Sequence, residues 1–173
     1  MSRKPFFATI INVCTSGVDG PKDIRDKAVV MTFGLDGDYH CRPTNKHRHI
    51  HILSQEVVDD IRKELGFRLS PGALGENLRV RGLGNLSDLR PEMFLWVGGF
   101  GGRIKLKVTK HADRFLFDLS SCHPELPRLL RRRMGIFCIV EEGIFRIIYP
   151  QEILVTGSAS FLPDNASVAT SAS

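Results

Sequence analysis

Residues 103–110 read RIKLKVTK: Ile104, Leu106 and Val108 fall on one side, Lys105, Lys107 and Thr109 on the other. A strict period of two is what a strand buried on one face requires, because successive side chains leave a pleated backbone on opposite sides. Apolar strand-like pieces recur along the chain, in residues 6–14 (FFATIINVC), 27–33 (KAVVMTF), 47–54 (HRHIHILS), 77–83 (NLRVRGL) and 94–99 (FLWVGG). Residues 135–155 (GIFCIVEEGIFRIIYPQEILV) read as two strands around Glu141, Glu142 and Gly143. Helical spacing occurs in two places. In QEVVDDIRKELG, Val57, Val58, Ile61 and Leu65 recur on one face, with Ser54 as N-cap and Gly66 as stop. Residues 124–134 form a second expected helix, preceded by Ser120 and Ser121 and closed by Gly135. Many short strands with about two peripheral helices predict a mainly β fold closed, or nearly closed, into a barrel, since closure removes exposed strand edges.

The 173 residues fit one domain. Its expected extent is 1–156, because residues 157–173 (GSASFLPDNASVATSAS) are small and polar, and a tail with so little to bury is expected to be disordered. No apolar run approaches the roughly 20 residues of a membrane helix. The N-terminal stretch contains Asn12, lacks a cleavage signal and reads as a first strand. Cys14, Cys41, Cys122 and Cys138 are scattered without a CxxC pair, which fits free thiols in a reducing cytoplasm better than a zinc knuckle or a disulfide framework. Of the net charge of +5, the densest part is PRLLRRRMG, with Arg128, Arg131, Arg132 and Arg133. It reads as a solvated helix face; with Phe115 and Phe117 alone as nearby stacking groups, nucleic acid is the weakest partner class.

The chemistry-bearing stretches are rich in glycine. In SPGALGENLRV (residues 70–80), Glu76 accepts hydrogen bonds and Asn77 donates and accepts, so the pair either reads a polar ring edge or caps backbone groups in a tight connection. GLDGDYH (34–40) offers Asp36, Asp38 and His40 in a second such turn, where carboxylates order a basic partner or stand in solvent. His47, His49 and His51 alternate on one strand face with no companion acid or cysteine, so they are expected to face solvent rather than to hold a metal. Cys14 and Cys138 belong to apolar patterns and are expected in the core. Cys122, next to His123 near a helix start, is the nucleophile candidate.

GLDGDYH, RHIHILSQE, LSPGALGENLRVRGL, the LKVT strand and the GIFCIV strand, taken in that order and spacing, resemble the MOSC domain, named for the C-terminal domain of molybdenum cofactor sulfurases. The resemblance implies a pyruvate-kinase-barrel-like β-barrel associated with the molybdenum cofactor (molybdopterin) and with sulfur transfer through a cysteine persulfide. Relatives stand alone or are fused to a pyridoxal-phosphate cysteine desulfurase or to redox modules, so a cysteine desulfurase or a molybdoenzyme is the implied partner. Carried over by position, His40 closes the GxxGDxH turn, Arg48 opens the RxVxLLSxE strand, and Glu76 and Asn77 are the polar pair of GENL, all around a cofactor cleft. Lys110, His111 or Arg48 would supply positive charge to the cofactor phosphate. The family's cysteine, a few residues after the LxVT strand, falls near Ala112 or Phe115 in this chain. Either Cys122 substitutes for it, or the chain is a binding module for an anionic ligand or a protein partner that has lost the reactive thiol.

Overall fold

The computed structural model describes residues 6–98, 104–112, 123–143, 146–148 and 151–156. The strands are β1 (Phe6–Thr15), β2 (Asp23–Arg25), β3 (Ala28–Met31), β4 (Gly34–Leu35), β5 (Ile50–Ser54), β6 (Leu78–Arg81), β7 (Phe94–Val97), β8 (Ile104–His111), β9 (Ile136–Glu142), β10 (Arg146–Ile148) and β11 (Glu152–Thr156). The helices are α1 (Gln55–Leu65) and α2 (Leu126–Leu129). The expected strand over 27–33 is shorter, and the expected strand pair in 135–155 is three strands.

Hydrogen bonding runs β11-β7-β8-β9-β5-β6-β1, and β1 pairs back onto β11, closing a seven-stranded barrel. Closure satisfies both edges that an open sheet would expose. β2 pairs with the C-terminal end of β1, and β10, β3 and β4 form a separate small sheet. Within the barrel only β5 and β6 run parallel. A parallel pair cannot be joined by a tight turn, and α1 supplies the crossover. Ser54 caps α1 by accepting the Glu56 N–H (3.1 Å), and Gly66, at φ 64, ends it with its N–H on the Arg62 carbonyl (2.9 Å).

Ile10, Ile50, Ile52, Leu78, Leu106 and Ile136 belong to the barrel core, to which Val30, Leu35 and Ile148 of the small sheet also contribute. A second apolar cluster lies outside the barrel, where Val57, Val58 and Ile61 of α1 meet Leu126, Leu129, Leu130 and Met134, with Leu53 of β5 beneath. Each fully buried aliphatic side chain contributes about 1.5–3 kcal/mol, so this outer layer is a substantial part of the fold's stability.

The outer layer overturns two expectations. β5 is buried on both faces, and it starts at Ile50 rather than residue 47. His51 in this strand and His49 just before it therefore do not face solvent, at 6% and 7% exposed, whereas His47 is exposed as expected. Nor does the second helix run over 124–134. It is a single turn, because the chain must be extended again by Ile136 to pair with Ile52; Arg132 reverses the backbone at φ 61 and the Arg133 N–H turns back to the Leu130 carbonyl (2.8 Å). The expected tail, 157–173, lies outside the described residues, as do Phe115, Phe117 and Cys122.

Candidate functional site

The glycine-rich segment 70–77 is built around a buried carboxylate. Gly72, at φ 82, brings its backbone against Lys22, whose N–H donates to the Gly72 carbonyl (2.8 Å); a Cβ there would run into the Lys22 carbonyl oxygen. That approach turns the Gly72 and Leu74 N–H groups inward onto Glu76, which accepts them at 2.9 and 3.1 Å. Arg79 ion-pairs with the same carboxylate and donates to the carbonyls of Leu69 (2.9 Å) and Ser70 (3.0 Å). Glu76 is 0% exposed, so of the two uses open to it from sequence, the geometry displays the loop-fixing one.

Asn77 extends the cluster. Its Oδ1 accepts the His51 N–H (3.0 Å), and its Nδ2 donates to the Cys14 carbonyl (3.2 Å) and to Asp38 (3.1 Å). Asp38 is a buried hub rather than a solvated loop acid. It pairs with Lys22 at 2.6 Å and accepts the N–H groups of Ser16 (3.3 Å) and His40 (3.1 Å). Burial alone would raise its carboxyl, but the hydrogen bonds from His40 and the Lys22 ammonium outweigh it and hold it down at about 2. The His40 ring stands between Asp38 (3.7 Å) and the exposed Asp19 (3.5 Å), itself partly open to solvent.

A second group of residues forms a cationic wall on the outside of the barrel. The β8–β9 register shifts between Val108 and Lys110, which makes Thr109 the extra residue of a bulge. Strict alternation would put Lys110 on the same side as Val108, inside the barrel; the bulge turns it out, opposite Phe137. Thr109 Oγ1 lies 2.6 Å from the His47 carbonyl oxygen and 2.9 Å from that of Phe137, pinning the strand entry to the bulge. Arg48 and Lys110 share the Phe137 ring, at 5.0 and 5.9 Å from its centroid. Neither is ion-paired among the described residues. His51 lies beneath, its ring 4.9 Å from that of Phe137 and its Nε2 2.7 Å from the Met134 carbonyl oxygen. The exposed His111 follows Lys110 on β8.

The two groups are joined. Asn45 Nδ2 donates to the carbonyls of both His40 (2.9 Å) and Arg48 (2.6 Å), and His51 links the wall to Asn77. So His40 and Asn77 meet at Asp38, with Glu76 beside Asn77 in the loop, while Arg48 and Lys110 share Phe137; His111 stands opposite Ile136 of β9 instead. Lys22, Asn45 and Phe137 were missed from sequence. Lys22 sits in a turn-rich loop, and only its distant contact with Asp38 distinguishes it; Phe137 looks like any strand aromatic.

The described cysteines are poor nucleophiles. Burial, and then the Glu76 charge, push the Cys14 thiol up to about 12; burial alone raises Cys138 well above the ordinary thiol range. Cys41 is partly exposed, yet burial and the neighbouring Asp36 and Asp38 raise it too. Ala112 is buried at the end of β8, its N–H on the Gly135 carbonyl (2.9 Å). Among the described residues, no group of three or more His, Cys, Asp or Glu side chains is arranged to hold a metal ion. No helix among them is long and apolar enough to cross a membrane.

A family profile described as MOSC domain matches residues 36–147, which span the Asp38 turn, the GENL loop and the β8–β9 bulge. The chain belongs to the MOSC domain family. Among solved structures, the YuaD protein from Bacillus subtilis is similar over 90% of this chain and 98% of its own, at 22% identity and a TM-score of 0.74. YiiM from Geobacillus stearothermophilus (19% identity, covering 86% and 74%, TM-score 0.63) and YiiM from Escherichia coli (17%, 86% and 68%, 0.59) share the architecture. Among curated proteins none matches the chain significantly. In this MOSC domain the barrel is closed, and Ala112, one of the two positions at which the resemblance led one to expect a cysteine, is buried.

Proposed function

We propose that this MOSC domain binds an anionic, phosphate-bearing ligand of the molybdopterin class through Arg48 and Lys110, as a binding module rather than a sulfur carrier. The observation that carries this reading is the pair of cations held over one aromatic ring without a carboxylate partner among the described residues. Uncompensated cations fixed at the entry to β5 and at the β8–β9 bulge suit a phosphate: the Arg48 guanidinium offers a planar fork of donors and the Lys110 ammonium a mobile point charge. His111 adds donors at the rim. Glu76, Asn77 and Asp38 act on such a ligand through the backbone they hold, and Asn45 and His51 keep His40 and the wall in register.

The residues fit the anionic end of the molybdenum cofactor, with which the MOSC family is associated. When bound, that cofactor supplies the redox chemistry of molybdenum. The absence of a thiol at Ala112, and the raised thiols of Cys14, Cys41 and Cys138, favour binding over sulfur carriage.

Titrating purified protein with molybdopterin by pterin fluorescence tests the reading. Arg48→Ala and Lys110→Ala each weaken binding by about ten- to hundredfold, the worth of one hydrogen bond to a charged group, and the wild-type affinity falls as salt rises. Full binding by the double variant refutes it. Intact mass after treatment with a persulfide donor gives no added sulfur atom; an adduct lost in Cys122→Ser would instead establish the sulfur carrier.

A further inference from the structure

β2 is the one strand of the large sheet with an open side among the described residues, since the other seven close on themselves. All three of its residues are exposed. Cys14 directs its N–H (2.7 Å) and its carbonyl (3.2 Å) to Asn77, away from β2. Cys14 is opposite Ile24, so these two form a pair that exchanges no hydrogen bonds, and the N–H and C=O of Ile24 point to the open edge. Ile24 and the nearby Val18, at 54% and 68% exposed, are two of the three large apolar side chains that stand out in solvent among the described residues.

We infer that β2 pairs with the β2 of a second copy of this chain, antiparallel and centred on Ile24. A two-fold axis there lets the two Ile24 residues exchange a pair of backbone hydrogen bonds, the arrangement that the outward N–H and C=O allow. The same register sets Asp23 opposite Arg25 of the second copy, twice by symmetry, so the edge is charge-complementary to itself. Within one chain Asp23 and Arg25 touch only loosely, at 3.8 Å, their side chains 82% and 48% exposed; Arg25 donates its Nε to Thr15 Oγ1 (3.0 Å), which leaves its terminal nitrogens for Asp23 of the second copy. A contact this short makes a weak dimer that forms at high protein concentration.

Sedimentation equilibrium of the whole chain up to about 1 mM, at low salt, tests this. Wild type self-associates to a dimer. Asp23→Arg and Arg25→Asp each set like charges against each other and weaken the dimer by about tenfold or more. An equimolar mixture of these two variants recovers the dimer as a mixed species, and the double reversal D23R/R25D recovers it as a homodimer. Circular dichroism of each variant matches wild type, because all substituted positions are exposed. A wild-type chain that stays monomeric overturns the proposal, leaving the edge to some other extended segment; so does a dimer indifferent to the single reversals, or one that the mixture and the double reversal fail to restore.

Discussion

Asp38 carries more of the site's order than any other side chain described here, since it meets Lys22, Ser16, His40 and Asn77 at once. Breaking a buried ion pair from one side strands the remaining charge, so Asp38→Asn destabilises the fold by about 3–5 kcal/mol in urea unfolding. The folded carboxyl is held at about 2, below its ordinary 3.8. A depressed carboxylate stabilises above its unfolded value and loses that contribution as pH falls through the folded one. Wild type therefore loses stability between about pH 4 and pH 2 through this group, and the loss is absent in Asp38→Asn. His51 acts in a higher window. Burial lowers it from 6.5, opposed by the Met134 carbonyl, so below 6.5 the unfolded chain takes up the proton first and stability falls. Burial lowers His49 as well, so His51→Gln reduces the fall in the urea midpoint between about pH 7.5 and 5.5 and leaves the His49 part.

At the scale of elements, the loop 70–77 and the β8–β9 bulge position the site. Gly72→Ala forces a Cβ into the Lys22 carbonyl at a left-handed φ. A cost on the order of 1–3 kcal/mol follows, as local strain or as displacement of the loop. Thermal unfolding measures that cost; a variant as stable as wild type would mean that this close approach is not required. The loop's need for glycine was visible in SPGALGENLRV, because φ > 0 is a local property that composition records. The bulge was not visible. RIKLKVTK alternates cleanly, and its irregularity exists only in relation to β9, so Lys110 was one of three cations that could serve a cofactor phosphate, while the geometry that turns it outward came from the pairing.

Across the whole molecule, β11 is the closing strand, bonded to β1 on one side and β7 on the other. Deleting residues 151–173 opens both of those edges and removes the buried Ile153, Leu154 and Val155. The truncated chain is expected to lose its cooperative urea transition and to aggregate, as light scattering detects. A soluble, cooperatively folding truncation would show that closure is dispensable. The sequence by itself determined the mainly β class, the capped helix α1, the core placement of Cys14 and Cys138 and the glycine-dependent turns, because each follows from periodicity or backbone freedom within a few residues. Tertiary structure decided what no short window contains. The outer apolar layer buries His51, and Phe33 with the Val140 N–H covers His49, both of which alternation alone left in solvent, and the Lys22–Asp38 pair joins two separate loops. The return path to β9 cuts the second helix to one turn. Burial on a strand's second face and the partner of a buried charge depend on which distant segments pack there, and that is settled only when the barrel closes.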